Sequence, residues 1–257
     1  MVMNKVNCSD LRDFRRIVIS NDEIKGDHVT FSKRNSHYLR SVLRLKPGDV
    51  IIALRGNMTY FVKIEGWLKG CVLGRITQEV IIAEAGTSGI ALAFSCVRPA
   101  PTEEIFRHGT ELGVSSFFPI IAERSNRRPM FANERWQRVV ESAISQCGRN
   151  VMPTIHDPLP LKDLPAVIQD CKTRFVLSAH AEPLTLILAR QPPLTQRATI
   201  LVGPEGGFTQ AETKVVADAG FLGVSLGPYV LRAETAAIVA VGILSLWHTC
   251  IEEVQHD

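Results

Sequence analysis

Two stretches in the C-terminal part of the chain decide its fold: LVGPEGGFTQAE at residues 201–212 and LGPYVLRAETAA at residues 226–237. Each follows a short apolar run, at 199–202 and 222–226, and each leads into a helical pattern. Two strand–turn–helix units in tandem place two loops at the same edge of a parallel sheet, where α/β proteins bind ligands. The first turn lacks both the lysine of a P-loop and the spacing of a dinucleotide fingerprint, which argues against a nucleotide polyphosphate.

The first loop offers mainly backbone to a ligand. Its GPEGG turn at 203–207 leaves several N–H and C=O groups free of intervening side chains. Thr209 and Glu212 form a predicted capping box, so a helix begins directly after the turn and adds its own N–H groups. Such a surface suits the edge of a neutral heterocycle such as adenine. A plain tight connection between strand and helix is the alternative.

The second loop brings a charged pair beside an apolar helix. Arg232 and Glu234 are two residues apart, so their side chains point in different directions and need not neutralise each other. An arginine at the edge of a pocket can stabilise negative charge that develops during a reaction. A structural ion pair is the alternative role for Arg232.

Charge is distributed unevenly along the 257 residues. Residues 1–80 hold 14 Lys and Arg against 8 Asp and Glu, whereas the remainder holds 15 against 18. This segregation favours a polyanionic partner for the N-terminal part, with a basic solvated surface as the alternative.

Several classes of protein are disfavoured by motifs that the sequence lacks. The six cysteines are widely spaced without a CxxC pair, and the seven histidines show no metal-ligand spacing, so we expect no metal and a reducing compartment. The first 16 residues contain no apolar run typical of a signal peptide. The most apolar run, at 233–247, is shorter than the roughly 20 residues of a membrane span and predicts a buried helix. We therefore expect a cytoplasmic protein without membrane contact.

The N-terminal part reads as a small β-barrel. Runs rich in β-branched and aromatic residues alternate with tight turns, which predicts strands at 16–20, 49–54 and 58–64. Residues 37–45 have helical spacing, with Arg40 and Arg44 four apart on one face. This face predicts an RNA-backbone contact, and simple solvation of the two arginines is the alternative.

The C-terminal part reads as an α/β domain. After a small, flexible segment at 83–89, strands and helices alternate to residue 249, which predicts a mostly parallel sheet with helices on its faces. The helix at 134–147 carries an apolar stripe from Trp136 to Cys147 that predicts a core or subunit interface. We place the two domains at 1–82 and 83–257.

These motifs together resemble the RsmE family of ribosomal RNA uridine-N3 methyltransferases, in the SPOUT superfamily. The resemblance starts from GPEGGF and LRAETA in the two C-terminal loops. It extends to TELGV at 110–114, ERS at 123–125, RW at 135–136 and the segment 141–149. Residues 37–49 are similar to the family's N-terminal PUA-like RNA-binding domain, so the similarity covers nearly the whole chain.

The resemblance implies S-adenosylmethionine as methyl donor, held in a C-terminal trefoil knot that is an exception to unthreaded topology. It also implies a homodimer with the active site close to its interface, and small-subunit ribosomal RNA within an assembled subunit as substrate. By motif, the cofactor-binding residues are Leu177, Ser178, Gly203, Pro204, Glu205, Gly206, Gly207, Leu226, Gly227, Leu231 and Ala236. The RNA-binding residues are His37, Arg40, Arg44 and Arg149.

The chain departs from the family pattern at two places. A stretch that is commonly rich in lysine reads RPAPTEEIFRHG at 98–109, and Tyr229 stands where the family typically has arginine. Fewer positive charges there predict weaker phosphate contacts, or contacts moved to Arg98, Arg107 and Arg124.

The target atom explains which side chains the chemistry needs. N3 of uridine lies on the Watson–Crick edge and carries a proton at neutral pH, so the base must be unpaired or flipped out. We expect Arg232 to stabilise the charge that spreads onto the base oxygens and Arg124 to orient the nucleotide. Glu234 is the candidate general base. The alternatives are a SPOUT methyltransferase acting on another RNA or atom, and a catalytically silent RNA-binding factor for ribosome assembly.

Overall fold

The computed structural model describes five segments of the chain: residues 14–56, 58–81, 89–125, 134–190 and 197–254. The chain separates into two compact units, Met1–Glu84 with Glu141–Met152, and Ala85–Val140 with Pro153–Asp257. The predicted domain boundary at 82/83 lies outside the described residues, so it stays a prediction. Residues 141–152 also belong to the first unit, so a single boundary along the chain does not separate the two units.

The first unit is built on a six-stranded sheet in the described residues, with strand order β1-β4-β5-β6-β3-β2. Its strands are β1 (Arg16–Val18), β2 (Ile24–Lys25), β3 (His28–Thr30), β4 (Val50–Arg55), β5 (Met58–Leu68) and β6 (Cys71–Ile81). All neighbours pair antiparallel except β1 and β4, which are parallel. The three strands predicted from the sequence are confirmed, and β5 extends four residues beyond its predicted end.

Burial follows the two-residue period of the strands. In β5, Val62 and Ile64 are buried while Lys63 and Glu65 are exposed. Register shifts interrupt the pairing of β5 with β6 at two points, and such bulges bend a long hairpin around its core.

The basic helical segment differs from the predicted helix at 37–45. Helix α1 spans Lys33–His37, and a wider π-helical turn continues it over Tyr38–Val42. The prediction that Arg40 and Arg44 share a helix face is wrong, because Arg44 lies beyond the helix with a left-handed backbone (φ 53°). This reversal lets the N–H of Leu45 donate to the C=O of Leu39 at 3.0 Å and buries both leucines.

The second unit is an α/β fold with a parallel sheet, as predicted. In the described residues the strand order is β10-β8-β7-β12-β11-β13, with β9 also paired to β8, and every pairing is parallel. The strands are β7 (Ile90–Ser95), β8 (Val114–Ile121), β9 (Thr154–Ile155), β10 (Leu159–Pro160), β11 (Thr173–Leu177), β12 (Ala198–Val202) and β13 (Leu222–Val224). The helices of the second unit are α2 (Pro99–Glu111), α4 (Leu164–Val167), α5 (Leu184–Ala189), α6 (Gln210–Asp218) and α7 (Ala233–Val254). Helix α3 (Glu134–Cys147) begins in this unit, and its residues from Glu141 onward belong to the first.

Aromatic packing joins the sheet of the second unit to its helices. The ring of Phe106 in α2 lies 5.5 Å from Phe94, 5.0 Å from Phe117 and 4.9 Å from Trp136, measured between centroids. These contacts bring β7, β8 and α3 onto one helix. Trp136, the first residue of the apolar stripe of α3, therefore packs in the core. This agrees with the first of the two roles predicted for the stripe, a core or a subunit interface.

The predicted buried helix at 233–247 is the first part of α7. Ala237, Ala240, Val241 and Leu244 are fully buried, while Leu246 is 69% exposed. The helix thus presents one face to the core and leaves apolar surface on another. Within the described part of the chain, no helix is both long enough and apolar enough to cross a membrane.

A pair of glycine substitutions tests the packing of the first unit. A Cβ at Gly74 would stand 2.5 Å from Cγ1 of Val62 and 3.2 Å from the backbone oxygen of Lys63, whereas nothing lies within 4 Å of one at Gly66. We expect Gly74→Ala to lower the free energy of unfolding by about 1–3 kcal/mol through overpacking. Gly66→Ala, in the neighbouring strand, should leave it unchanged or raise it by up to about 1 kcal/mol. Equal thermal midpoints for the two variants would contradict this packing.

Candidate functional site

A cavity of about 930 Å³ lies in the second unit, where β11, β12 and β13 end. Their last residues, Leu177, Val202 and Val224, all line it. Because the three strands are parallel neighbours, the loops that follow them all emerge at this edge. The volume is within the range of small-molecule sites.

The structure brings the predicted cofactor-binding residues together around this cavity. Ten of the eleven line it: Leu177, Ser178, Gly203, Pro204, Glu205, Gly207, Leu226, Gly227, Leu231 and Ala236. The eleventh, Gly206, lies in the same loop but outside the lining. The sequence motifs therefore converge on one place, although they are up to 59 residues apart along the chain.

The loop after β12 is shaped by its glycines. The N–H of Gly207 donates to the C=O of Pro204 at 2.8 Å, and Gly207 has a left-handed backbone (φ 67°). A Cβ at Gly203 would stand 3.0 Å from the ring of Phe208. Gly203 therefore accommodates the Phe208 ring, and at Gly207, where nothing lies within 4 Å of a Cβ, backbone groups can approach a ligand closely.

Helix α6 begins directly after this loop, with the predicted capping box. The hydroxyl of Thr209 accepts from the N–H of Glu212 at 3.3 Å, and the Glu212 carboxylate accepts from the N–H of Thr209 at 2.9 Å. The other carboxylate oxygen of Glu212 accepts from the N–H of Glu123 at 2.7 Å. One side chain therefore fixes both the helix start and the turn that follows β8.

Arg124 makes a second link between the same two segments. Its guanidinium donates to the C=O of Gly206 at 2.9 Å, and the residue is exposed. The sequence predicted that Arg124 orients a nucleotide, and the structure places its side chain against the loop after β12. The bond to Gly206 uses one of five N–H donors, so the others remain for a further ligand.

The loop after β13 leads to Arg232. Gly227 has φ 130°, and Tyr229 and Val230 are 81% and 87% exposed at the cavity rim. Arg232 is exposed, lines the cavity and accepts through its C=O from the N–H of Ala236 at 2.8 Å. Its side chain makes no ion pair within the described segments, which disfavours the structural alternative.

Glu234, the candidate base, is placed differently. It lies in the first turn of α7, is 9% exposed and does not line the cavity. A carboxylate in the first turn of a helix interacts favourably with the helix dipole. A catalytic role for Glu234 stays a prediction.

The loop after β11 forms the third wall and is tied to the loop after β13. The N–H of Ser178 donates to the C=O of Val224 at 2.8 Å, and the N–H of Ser225 donates to the C=O of Glu182 at 2.9 Å. These bonds hold the two loops together. The sequence of residues 177–178 carries no distinctive motif, but both residues line the cavity in the structure.

Some lining residues were missed by the sequence analysis or given other roles. Phe208 and Phe221 add apolar surface to the cavity. In the sequence, Phe208 directly follows the glycine turn and Phe221 directly precedes β13, and these positions are the local features that could have identified them as lining residues. Arg98, expected to contact phosphates, occupies the N-cap position of α2 without a side-chain capping bond, and it lines the cavity. Cys96, two residues earlier, is inert as a nucleophile because burial raises the pKa of its thiol to about 12.

The predicted RNA-binding residues belong to the first unit. His37, Arg40 and Arg44 are exposed, whereas Arg149 is half-buried. Among the residues that the structure describes, no group of three or more His, Cys, Asp or Glu side chains is placed to hold a metal ion.

Comparisons with known proteins identify relatives of this chain. Residues 85–245 match the model of the RNA methyltransferase domain family. The ribosomal RNA small subunit methyltransferase E of Synechocystis is 30% identical over 230 residues, which cover 88% of this chain and 75% of that protein. The Aquifex aeolicus protein of the same name is 36% identical over 146 residues, or 55% of this chain and 61% of that one.

A solved structure extends the comparison to the fold. The ribosomal RNA small subunit methyltransferase E of Neisseria gonorrhoeae, bound to S-adenosyl methionine, superposes with a TM-score of 0.76 at 25% identity. The match covers 91% of this chain and 97% of that one.

Removing the Glu212 carboxylate tests how the site loops are held. Glu212→Ala should expose the amides of Thr209 and Glu123, because each donates to that carboxylate, and should cost about 1–3 kcal/mol of stability. Hydrogen exchange at these two amides is the direct measurement. Lys214→Ala, at an exposed position of the same helix, is the control and should leave both protected. Unchanged protection in Glu212→Ala would show that the loops are held by other contacts.

Proposed function

Because this chain belongs to the ribosomal RNA small subunit methyltransferase E family, we propose that it transfers a methyl group from S-adenosylmethionine to N3 of a uridine in small-subunit (16S) ribosomal RNA. The observation that carries the proposal is the cavity at the ends of β11, β12 and β13, with Arg232 in its lining. The cofactor, the RNA contacts and the catalytic roles below are parts of this proposal.

The lining suits the proposed cofactor. Backbone groups of the 203–207 and 226–231 loops can hydrogen-bond the edges of adenine, and Phe208, Phe221 and Val176 supply apolar surface for the ring system. At Gly207 nothing lies within 4 Å of the place a Cβ would take, which leaves room for this close approach. S-adenosylmethionine supplies an electrophilic methyl group on its sulfonium.

The side chains at the cavity then act on the uridine. Arg232 offers a guanidinium to the base oxygens, where negative charge appears as N3 loses its proton. Arg124 uses its remaining donors to orient the nucleotide beside the loop that it already contacts. Glu234, which is buried in the first turn of α7 beside the cavity-lining Arg232 and Ala233, is the candidate acceptor of the N3 proton.

The proposal extends to the fold and the assembly. The sheet order of the second unit supports a SPOUT-type trefoil knot, and the bent antiparallel strands of the first unit support a PUA-like barrel. Exposed apolar residues of α7, Val239 and Leu246, favour a homodimer that covers them. We place the reaction in the cytoplasm. We also propose RNA within an assembled subunit as the substrate, because a PUA-like domain reads shape and backbone more than sequence.

Nucleoside mass spectrometry tests the reaction itself. Small-subunit ribosomal RNA from cells that lack the protein should contain less 3-methyluridine, and purified protein with S-adenosylmethionine should restore it. If 3-methyluridine is unchanged and another methylated nucleoside disappears, the enzyme acts on that other atom. If no nucleoside changes and calorimetry shows no heat with S-adenosylmethionine, the protein is a silent RNA-binding factor and the proposal is wrong.

The role of Arg232 has its own test. Arg232→Ala should lower kcat by about 100- to 1,000-fold, as removal of a charge-stabilising donor does, while changing the cofactor Kd only a few-fold. Arg138→Ala, which removes an exposed arginine paired with Glu134 on α3, is the control and should keep full activity. Glu234→Gln in the same assay tests the proposed base. Near-normal kcat in Arg232→Ala would remove that residue from the mechanism.

A further inference from the structure

Two residues of the first unit adopt a backbone that ordinarily calls for glycine. Among the described non-glycine residues, only Arg44 (φ 53°) and Lys69 (φ 50°) are left-handed. Arg44 follows a helix end, and Lys69 shares the two-residue turn between β5 and β6 with Gly70 (φ 85°). Glycine is the usual residue at the first position, and asparagine or glycine at the second. Strain of this kind, kept at two long cations, points to a use for their side chains.

The two strained segments are in contact with each other. The guanidinium of Arg40 lies over the ring of Trp67, 5.6 Å from its centroid. Even with this contact, Trp67 is 39% exposed. Leu68, the next residue in β5, is 58% exposed, and Val42, at the end of the π-helical turn, is 60% exposed. The contact therefore joins the end of the helical segment to the end of the β5–β6 hairpin. We call this surface the basic tip; it consists of Arg40, Val42, Arg44, Trp67, Leu68 and Lys69.

Charge around the basic tip is positive. Arg15 donates from its guanidinium to the C=O of Leu43, which adds a further cation beside Arg44. The carboxylate of Glu65, two residues before Trp67 in β5, is paired with Arg75 at 2.7 Å, and Arg75 also pairs with Asp27 at 3.0 Å. An exposed aromatic ring among unneutralised cations is the combination by which proteins bind single-stranded nucleic acid, with bases stacked and phosphates paired.

We propose that the basic tip binds a single-stranded segment of the substrate RNA, with Trp67 stacking on a base and Arg44 and Lys69 contacting phosphates. This rests on the proposed function, of which it names a docking surface. The guanidinium of Arg40 braces the indole and adds charge beside the stacked base. Lys69 stands at the apex of its turn, where a phosphate can reach it without crossing the sheet.

Other occupants fit the surface less well. A second copy of this chain would bring like charges together, which opposes self-association. A membrane would require the indole to enter the lipid boundary, yet a guanidinium already lies over that ring. A stacked base accepts such a guanidinium as a neighbour, since arginine and aromatic planes both pack against bases in RNA complexes.

The first test measures the stacking residue. Full-length protein is titrated into a fluorescein-labelled single-stranded oligoribonucleotide of mixed sequence, and binding is followed by anisotropy. Trp67→Ala should weaken binding on the order of 10-fold or more, because loss of one base stack has this effect. Val50→Ala, which truncates another exposed apolar side chain of the first unit, should bind like the parent. Equal affinity in parent and Trp67→Ala would overturn the stacking role.

The second test separates function from folding. Lys69→Asn places a residue that tolerates the left-handed turn, so its thermal midpoint should rise by about 2–4 °C if the first unit unfolds with the rest. The same variant should bind the oligoribonucleotide more weakly, with the salt-dependence slope reduced by about 0.7. Lys25→Asn, an exposed lysine in β2, is the control and should change neither. A more stable Lys69→Asn with an unchanged slope would overturn the phosphate contact.

Separate readouts distinguish this proposal from the proposed function. If Trp67→Ala weakens RNA binding but the parent transfers no methyl group, the basic tip stands and the enzymatic proposal fails. If the parent methylates RNA and Trp67→Ala has the same KM, the enzyme stands and the tip does not dock its substrate. Vesicles of phosphatidylserine and phosphatidylcholine form the last arm, and binding that depends on Trp67 there but not with RNA would overturn the assignment.

Discussion

The parallel alignment of β11, β12 and β13 is the constraint on which the site depends. Because the three strands are hydrogen-bonded neighbours, Leu177, Val202 and Val224 all end at one edge, and the loops that follow must share the same space. Backbone bonds between the loops after β11 and β13 extend this alignment beyond the sheet. Backbone groups of three loops therefore border the cavity, and such groups can offer donors and acceptors without side-chain rearrangement.

Local patterns in the sequence were enough to predict much of this arrangement. Alternating strands and helices, the capping box at Thr209 and the glycine turn at 203–207 all follow from rules that act over a few residues. The long-range contacts carry no such signal. Glu212 contacts Glu123 across 89 residues of sequence, and Arg124 contacts Gly206 across 82. The periodicities of helices and strands act over a few residues and predict no contacts at these separations. The left-handed Arg44 was missed because side-chain periodicity does not encode a backbone reversal.

The arginines of the second unit illustrate how location decides the role of a side chain. Arg174, near the amino end of β11, donates to the backbone oxygens of Cys171, Ala219 and Ile168. Its guanidinium is therefore occupied by structural hydrogen bonds. Arg232, at the opposite edge of the sheet, is exposed beside the cavity. Arg124 is intermediate, with one bond to the loop and donors to spare. Residue type alone could not rank these three, because the ranking depends on which carbonyls the fold brings near.

The residues at left-handed backbone positions differ between the cavity and the basic tip. Around the cavity, left-handed positions are glycine, at Gly207 and Gly227, because a side chain there would hold a ligand away from the main chain. In the first unit, Gly70 and other glycines also occupy left-handed positions, but at the basic tip two such positions carry Arg44 and Lys69, although glycine would relieve the strain. Glycine suits a surface that recognises its ligand through the backbone, and a long cation suits one that reaches for phosphates. The contrast between these two surfaces is consistent with the ligands proposed for them.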